Sequence, residues 1–477
     1  MRGAVTLCTL STALLFLCPA INAINAINVI QPNVKESSSV VRFDLQRRVV
    51  HNPVNRNHKR LRKRHKKYIQ DKMNNEGTQY VLEIGLGTPP QTLTLQVDTG
   101  SSDLWVNAVN TTFSEQMLNP WAHGGTYDPD ASSTVQYISS NFKIEYFDGA
   151  GATGDFLTDT LTIGNKKVQN VQFGVGYQSR SNQGVMGLGF LANEVEVAVK
   201  HRDPYLNLPF ALKEAGLIAC ACYSLWLNTM DSSHGVVLFG GIDVEKYDGT
   251  LEPVALLRTE GDTIRQFSVK LAWLEIETES GTKDMGAGFL PTAVVLDIGT
   301  SVTYLPDIVV EGIYEELGVV KEETDLDLIK CSLKDSDITF IFYFDGATIE
   351  VPVRDFIINT APGPDGEPIR FDDGEPICFF GIAPAGPRPS ILGITFLRST
   401  YILYDLESTD VLIAQARRGA TGEKITAIHS SPPPPKNPTS RRSLAPSSRM
   451  HSKALAMRPD MHLAALVGLA GAMFAVM

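Results

Sequence analysis

The feature that most constrains this chain of 477 residues is a short segment that occurs twice. Residues 95–106 read L-Q-V-D-T-G-S-S-D-L-W-V, and residues 294–306 read V-V-L-D-I-G-T-S-V-T-Y-L-P. In each copy an apolar run leads into an aspartate, a glycine bends the backbone, and a second apolar run follows. Asp98 and Asp297 are therefore predicted at equivalent turns between strands.

The repetition extends beyond the two turns. Each turn is followed, later in its half of the chain, by an apolar segment with glycine: G-V-M-G-L-G-F at residues 184–190 and S-I-L-G-I-T-F at residues 390–396. Such self-similarity predicts a duplicated architecture. Two equivalent halves related by a pseudo-two-fold axis would bring Asp98 and Asp297 together at their interface, where clefts commonly form.

Two carboxyl groups a few ångströms apart have a defined chemistry. Both cannot ionise at low cost, so the pair shares one proton, and one group serves as a base while the other serves as an acid. A water molecule between them can lose a proton to one carboxylate as it attacks a carbonyl carbon, while the other carboxyl protonates the carbonyl oxygen. The predicted reaction is hydrolysis without a metal or a covalent intermediate.

The two turns, the strand I-G-L-G-T-P-P-Q at residues 84–91 and the two apolar segments occur in an order that resembles the pepsin-like aspartic proteases across residues 79–416. Residues 205–209 and 221–250 resemble the fungal cell-surface, yapsin-like branch of that family. The resemblance implies an all-β, bilobal fold with a cleft between the lobes. It also implies a monomeric endopeptidase that acts on peptides or proteins at acidic pH, with no cofactor and no metal.

The resemblance also implies roles for individual residues. Residues 142–154, F-K-I-E-Y-F-D-G-A-G-A-T-G, combine strand residues with a glycine-rich tip and predict a hairpin that closes over the substrate, which we call the flap. The catalytic pair would be Asp98 and Asp297. The substrate-binding residues would be Tyr146, Asp148, Gly100, Gly299 and Thr300, and the residues supporting the pair would be Ser101 and Thr99.

Three departures from the family pattern motivate an alternative function. Ile298 stands where the family has a second threonine or serine hydroxyl beneath the cleft, which predicts a missing hydrogen bond around Thr99. Phe147 adds bulk on the flap where glycine is usual, and Ile394 replaces a common aspartate. The alternative is a weakened or inactive relative that binds peptides or serves the cell surface structurally.

The amino-terminal residues predict a secreted precursor. Residues 1–23 hold an early arginine, an apolar run and small residues, which is typical of a secretory signal peptide. Residues 24–67 end in K-R-L-R-K-R-H-K-K and are interpreted as a basic pro-segment, although such a run can also be a solvated segment or a polyanion-binding patch. The whole chain carries a net charge of −11, so the body without this segment is more acidic, which favours action at acidic pH and disfavours nucleic-acid binding.

The remaining boundaries follow from composition. We expect an amino-terminal lobe at residues 68–250, a carboxy-terminal lobe at 251–416 and an extended Ser/Pro-rich linker at 417–462. The apolar residues 463–477 are shorter than a membrane span and fit a signal for a glycosylphosphatidylinositol (GPI) anchor, with attachment at Ser448 or Ser452. The predicted location is the cell surface, with simple secretion as the alternative.

Four cysteines lie outside the signal peptide. Cys331 and Cys378 match the disulfide that is usual in the second lobe of the family. Cys220 and Cys222 are one residue apart, where a mutual bridge is strained, so free buried thiols and a bond to a partner both remain open. No histidines lie at ligand spacing near these cysteines, so a zinc site is not predicted. Asn110 begins the acceptor sequence Asn-Thr-Thr for N-glycosylation.

Overall fold

The computed structural model describes residues 40–51, 76–114, 122–164, 166–232, 234–259, 261–286, 288–322, 327–361 and 367–429. These residues form mainly strands, so the prediction of a β fold with two lobes is confirmed. The predicted signal peptide, the basic run that ends the pro-segment, most of the linker and the apolar tail lie outside the described residues.

Many strands alternate buried apolar residues with more exposed polar ones, as at residues 91–97, whereas the strands at residues 222–226 and 400–405 are buried throughout. Strands of the first half are β1 (Val41–His51), β2 (Glu76–Leu86), β3 (Gln91–Asp98), β4 (Leu104–Phe113), β5 (Gln136–Glu145), β6 (Gly151–Ile163), β7 (Lys166–Ser179), β8 (Val185–Gly187), β9 (Cys222–Trp226), β10 (His234–Phe239), β11 (Gly241–Asp243) and β12 (Tyr247–Ala255). Strands of the second half are β13 (Ser268–Thr278), β14 (Gly281–Asp284), β15 (Thr292–Leu296), β16 (Thr303–Leu305), β17 (Leu328–Lys330), β18 (Thr339–Phe344), β19 (Thr348–Pro352), β20 (Ile357–Thr360), β21 (Ile377–Phe380), β22 (Ile382–Pro384), β23 (Ser390–Leu392), β24 (Thr400–Asp405), β25 (Asp410–Ala416) and β26 (Ile425–Ala427).

Helices are few and short. The α-helices are α1 (Val195–Ala198), α2 (Leu208–Glu214), α3 (Asp307–Leu317) and α4 (Ile394–Leu397), and the 3-10 helices are Pro129–Ala131, Leu191–Asn193, Cys331–Asp335 and Val353–Phe356. Helix α3 ends at Gly318, whose left-handed φ of 66° terminates it without a side-chain clash. Its buried face packs Val309, Val310 and Ile313 into the core of the second lobe.

The sequence repeat corresponds to a repeated strand arrangement. Strand β3, which ends at the first aspartate, pairs in parallel with β8, and β4 pairs with β8 in the antiparallel sense. In the second half, β15 pairs in parallel with β23, and β16 pairs with β23 in the antiparallel sense. Each apolar segment with glycine is thus inserted between the strands that flank an aspartate turn, so the two motifs recur together.

The two lobes share a sheet. The largest sheet has thirteen strands in the order β12-β25-β24-β9-β10-β1-β2-β3-β8-β4-β7-β6-β5. Strands β24 and β25 belong to the predicted second lobe, yet β24 pairs with β9 and β25 pairs with β12. The boundary predicted at Leu251 falls inside β12, because this strand continues the shared sheet.

Both ends of the described body extend beyond the predicted catalytic lobes. Strand β1, within the predicted pro-segment, lies between β10 and β2 and pairs with both. At the other end, β26 pairs with β11, so residues 417–429 are not the extended linker predicted from residue 417. The composition of the linker did not show that this first part has backbone partners.

The cysteines form two bridges. Cys331 and Cys378 are bonded, as predicted, with their Cα atoms 5.1 Å apart. Cys220 and Cys222 are bonded to each other, with a Cα separation of 5.2 Å. Both side chains are buried, which leaves no surface for the bond to a partner that the sequence left open.

An ion pair beyond the predicted boundary secures the carboxy-terminal segment. The Arg418 guanidinium donates two hydrogen bonds to the Asp355 carboxylate, at 3.0 and 2.5 Å, and Ser399 donates a third at 2.9 Å. The Asp355 side chain is only 2% exposed. A buried carboxylate that loses its cation keeps its desolvation cost, so this pair matters more than a surface pair.

We therefore expect Arg418→Met to lower the free energy of unfolding by about 3 kcal/mol. Arg354→Met is the matched control, because Arg354 and Asp335 form a longer contact of 3.8 Å with both side chains largely exposed. The control should change stability by less than about 0.5 kcal/mol. Denaturant titration of the two variants measures the difference, and equal effects would contradict the structural role of residues 417–429.

Candidate active site

The structure brings Asp98 and Asp297 to one place. Asp98 is the last residue of β3, Asp297 follows β15, and their exposed fractions are 7% and 8%. The backbone N–H of Gly100 lies 2.8 Å from Asp98 Oδ1 and 3.1 Å from Asp297 Oδ1. The inner oxygens of both carboxyl groups therefore lie within hydrogen-bond distance of the same donor.

The glycine in each turn is required by the opposite carboxyl group. A Cβ at Gly100 would lie 2.9 Å from Asp297 Cγ, and a Cβ at Gly299 would lie 2.7 Å from Asp98 Cγ. Neither glycine has a positive φ. The backbone bend that the sequence suggested is therefore not what requires glycine at these two positions. Close approach of the two turns excludes any side chain at these positions.

The outer oxygens have equivalent partners in the two halves. The Ser101 hydroxyl donates to Asp98 Oδ2 at 2.5 Å, and the Thr300 hydroxyl donates to Asp297 Oδ2 at 2.6 Å. The Gly299 N–H also donates to Asp297 Oδ1 at 2.7 Å. Thr300, expected among the substrate-binding residues, therefore orients a carboxyl group in the same manner as Ser101.

Beneath the pair, Thr99 crosses between the lobes. Its hydroxyl donates to the Leu296 carbonyl at 2.9 Å and accepts from the Ile298 N–H at 3.1 Å. The backbone of the second turn thus supplies both partners of the Thr99 hydroxyl. Ile298 has no hydroxyl with which to make the corresponding bond to the first turn. The Ile298 side chain is fully buried and packs in the main core.

The electrostatics of the pair favour a retained proton. Burial raises the pKa of Asp98 well above its ordinary value, and the neighbouring Asp297 carboxyl raises it further. The Ser101 hydroxyl and the Gly100 N–H oppose this shift, because they stabilise the ionised form. Asp98 therefore keeps its proton to a higher pH than an isolated carboxyl group.

The predicted flap is a hairpin. Strands β5 and β6 pair up to Glu145 and Gly151, and residues 146–150 form the turn. The Trp105 indole N–H donates to the Tyr146 hydroxyl at 2.8 Å, which secures the tyrosine against the first lobe. Burial and the nearby Asp98 raise the pKa of Tyr146, which is consistent with its position beside the pair.

The tip of the flap reaches toward the second lobe. Burial raises the pKa of Tyr304 in β16, the Arg388 cation opposes this, and the Asp148 carboxyl adds to the rise. Asp148 also accepts the Ala150 N–H at 2.8 Å, which shapes the turn. The Phe147 side chain is 59% exposed, so its bulk does not fill the space beside the pair.

Three residues at the site were missed by sequence reasoning. Trp105 holds Tyr146, Gln96 donates through its amide to the Gly299 carbonyl at 2.9 Å, and Tyr404 lies beneath Thr99. Gln96 offered no distinct signal, because it occupies a regular polar position of the alternating strand Q-T-L-T-L-Q-V-D at residues 91–98. Ile394, one of the departures, is fully buried and begins α4, where its N–H donates to the Thr300 carbonyl at 2.9 Å.

The other predicted residues lie away from the pair. Asn110 is exposed in β4, and the Cys331–Cys378 bridge joins strand β21 to a 3-10 helix of the second lobe. Among the described residues, no group of three or more histidine, cysteine or acidic side chains is arranged to hold a metal ion.

Comparisons with known proteins agree with this geometry. Residues 79–416 match the family model of eukaryotic aspartyl proteases. A probable aspartic-type endopeptidase opsB from Aspergillus fumigatus is 40% identical over 395 residues, which cover 83% of this chain and 80% of that protein. The aspartic proteinase yapsin-3 from Saccharomyces cerevisiae is 33% identical and covers 77% of this chain and 72% of its own.

A solved structure supports the fold. The crystal structure of the aspartic proteinase from Irpex lacteus superposes with a TM-score of 0.56 at 20% identity, over 72% of this chain and 96% of that chain. The family match covers most of the chain, and the opsB relative is named as a probable aspartic-type endopeptidase. This chain therefore belongs to the eukaryotic aspartyl protease family and is an aspartic-type endopeptidase.

Proposed function

We propose that Asp98 and Asp297 are the catalytic pair of this endopeptidase. The observation that carries the proposal is the shared Gly100 N–H, which lies within hydrogen-bond distance of the inner oxygens of both carboxyl groups. The equivalent hydrogen bonds that Ser101 and Thr300 donate to the outer oxygens support it. The pair then holds one proton between two groups of nearly equal surroundings.

In the proposed reaction, a water molecule bound between the carboxyl groups attacks the carbonyl carbon of the peptide bond. Its proton passes to the ionised carboxylate, and the protonated carboxyl group gives its proton to the carbonyl oxygen. The tetrahedral diol collapses when the protonated carboxyl group gives its proton to the amide nitrogen, the carboxylate takes a proton from a diol hydroxyl, and the C–N bond breaks. Neither carboxyl group forms a covalent bond, and the pair returns to its singly protonated state.

The flap is proposed to bind the substrate. Tyr146 and Asp148 lie on its turn, and Gly100, Gly299 and Thr300 lie on the floor of the cleft. Closure of this hairpin would exclude bulk water and position the peptide bond over the pair. The acidic Asp148 favours peptides with basic side chains near the cleaved bond.

Replacing either catalytic carboxyl group by its amide should abolish cleavage. Asp98→Asn and Asp297→Asn each keep the shape of the site but remove the shared proton, so we expect at least a 1,000-fold loss of kcat/KM. The measurement is cleavage of a fluorogenic peptide library between about pH 3 and 6. Asp130→Asn changes an exposed aspartate of a 3-10 helix and should retain full activity. Substantial cleavage by either pair variant would refute the assignment.

The alternative of an inactive relative rested on Ile298, Phe147 and Ile394. The relatives are named as a probable aspartic-type endopeptidase and an aspartic proteinase, and these names do not favour it. The Thr99 hydroxyl keeps two partners despite Ile298, and Phe147 points largely into solvent. We therefore propose that these departures adjust activity and do not eliminate it.

Two further carboxyl groups support an acidic working range. Asp103 and Glu194 are buried beside the flap. The Tyr205 hydroxyl donates to Asp103 at 2.8 Å, and the Tyr205 backbone N–H donates to Glu194 at 3.0 Å. Burial raises the pKa of Asp103 to about 6 and that of Glu194 to about 9. The nearby cations Lys200 and Arg202 are paired with Glu196, and Lys200 only partly opposes the rise in the pKa of Asp103.

These shifts set the sign of the pH dependence. The folded state holds protons that the unfolded chain releases above about pH 4, so stability falls as pH rises toward the raised pKa values. Glu194→Gln cannot ionise, so its free energy of unfolding should fall less between pH 5 and 8 than that of the parent. The difference between the two decreases should be at least about 2 kcal/mol. Denaturant titrations in an inactive Asp98→Asn background measure this without self-digestion. The exposed Glu214→Gln is the control and should follow the parent; a parallel curve for Glu194→Gln would contradict the prediction.

The proposed precursor is secreted and surface-bound. We infer a signal peptide at residues 1–23 and a pro-segment at residues 24–67, of which β1 holds a place in the large sheet. Asn110 is exposed on β4 and is proposed to carry an N-linked glycan. No helix of the described residues has the length and apolarity needed to cross a membrane. Residues 463–477 are proposed to direct a GPI anchor.

A phosphatidylinositol-specific phospholipase should release the protein from washed membranes into solution. A variant that ends at residue 462 lacks the apolar tail and should be secreted without that treatment. Recovery of intact Met477 from the purified membrane-bound protein would contradict the anchor, because anchor attachment removes the tail.

A further inference from the structure

Gln96 connects the first lobe to the second aspartate turn. Its side-chain N–H donates to the Gly299 carbonyl at 2.9 Å, and its side-chain carbonyl accepts from the Gln79 amide at 2.9 Å. The Gly299 carbonyl can only accept, so it fixes which end of the Gln96 amide faces it. The two amides and the carbonyl form one chain from β2 through β3 to the second lobe.

The backbone around Gln96 is held on both sides. Gln96 pairs with Val81 of β2 and with Val185 of β8, and its own N–H donates to the Gly184 carbonyl at 2.9 Å. The Gln79 side chain is buried and occupies the diagonal position on β2. The amide that reaches Gly299 therefore starts from a rigid strand, which limits the positions that the turn can adopt.

The hydrogen bonds between the two aspartate turns are one-sided. The Thr99 hydroxyl and the Gln96 amide, both from the first lobe, reach backbone atoms of the second turn. Pseudo-two-fold symmetry would place a hydroxyl of residue 298 on the backbone of the first turn, but Ile298 has none. The second turn carries Asp297, so its position relative to Asp98 depends on these first-lobe side chains.

We propose that Gln96 is a positioning residue, whose amide holds the Gly299 carbonyl. This hydrogen bond between the lobes compensates for the one that Ile298 cannot make. The inference rests on the proposed roles of Asp98 and Asp297. A carbonyl oxygen has two lone pairs, so Gly299 keeps one for the substrate while Gln96 occupies the other. Gln96 thus orients the floor of the cleft without blocking it.

A second buried group competes for this role. The Tyr404 ring stacks on Tyr223 at 5.0 Å beneath the site, close to Thr99. Its hydroxyl makes no hydrogen bond to any residue that the structure describes. It therefore makes no hydrogen bond to the second turn, whereas Gln96 makes one of ordinary length.

The test is a double-mutant cycle in the processed full-length enzyme. Gln96→Met keeps the length of the side chain and removes the amide, and we expect kcat/KM to fall about tenfold or more. Ile298→Thr alone should change kcat/KM by less than about threefold, and in the Gln96→Met background it should restore most of the loss. Gln172→Met, at a half-buried glutamine of β7 away from the cleft, is the matched control.

The pH profile separates positioning from general destabilisation. Coupling between two carboxyl groups spreads their apparent pKa values, so a loosened pair should give a narrower bell in kcat/KM against pH. A merely structural loss would lower the melting temperature and leave the width of the bell unchanged. If Gln96→Met fails to fold, Gln96→Asn, which is one methylene shorter, is used in the same cycle.

Several outcomes would overturn the proposal. The first is full activity of Gln96→Met, and the second is a loss of kcat/KM that Ile298→Thr does not restore. The third is that the effect of Ile298→Thr on kcat/KM depends on Tyr404→Phe and not on Gln96→Met. Failure of the catalytic assignment is distinguishable, because Asp98→Asn would then retain activity whatever the behaviour of Gln96.

Discussion

The approach of two carboxyl groups to one backbone N–H is the interaction on which the rest of this structure depends. The Gly100 N–H lies within hydrogen-bond distance of both Asp98 and Asp297, so the two turns are packed too closely for any side chain at Gly100 or Gly299. Holding two buried carboxyl groups together is costly, and the cost is offset by a retained proton and by hydroxyl donors. The strands that carry the turns, and the shared sheet that joins the lobes, keep them at this distance.

The duplication is nearly symmetric in strands but not in side chains. The outer carboxyl oxygens have matching donors in Ser101 and Thr300, whereas the ties between lobes come from Thr99 and Gln96 of the first lobe. The Thr99 hydroxyl keeps two backbone partners although residue 298 has no hydroxyl. Symmetry at the level of the fold therefore does not require symmetry at the level of each hydrogen bond.

Much of the fold and of the candidate site could be predicted, because the repeat places both aspartates in equivalent frames and the order of motifs is specific. The effect of Ile298 on the hydrogen bonds of Thr99 could not be predicted, since the partners of Thr99 are backbone atoms nearly 200 residues away in the chain. The Cys220–Cys222 bridge and the folded residues 417–429 were missed for a related reason. Local composition does not show the strands and carboxylates, such as Asp355, that lie opposite a segment in space.

The shared sheet has a consequence for how a substrate enters. Strands β24 and β25 come from the second half and are hydrogen-bonded within the same sheet as β9 and β12, so opening the lobes like a hinge would break a continuous ladder. The turn at residues 146–150 lies at the end of a hairpin and is tied to the first lobe through the bond from Trp105 to Tyr146. The proposed flap would therefore gate entry and exit of the polypeptide, over a floor joined by the shared sheet.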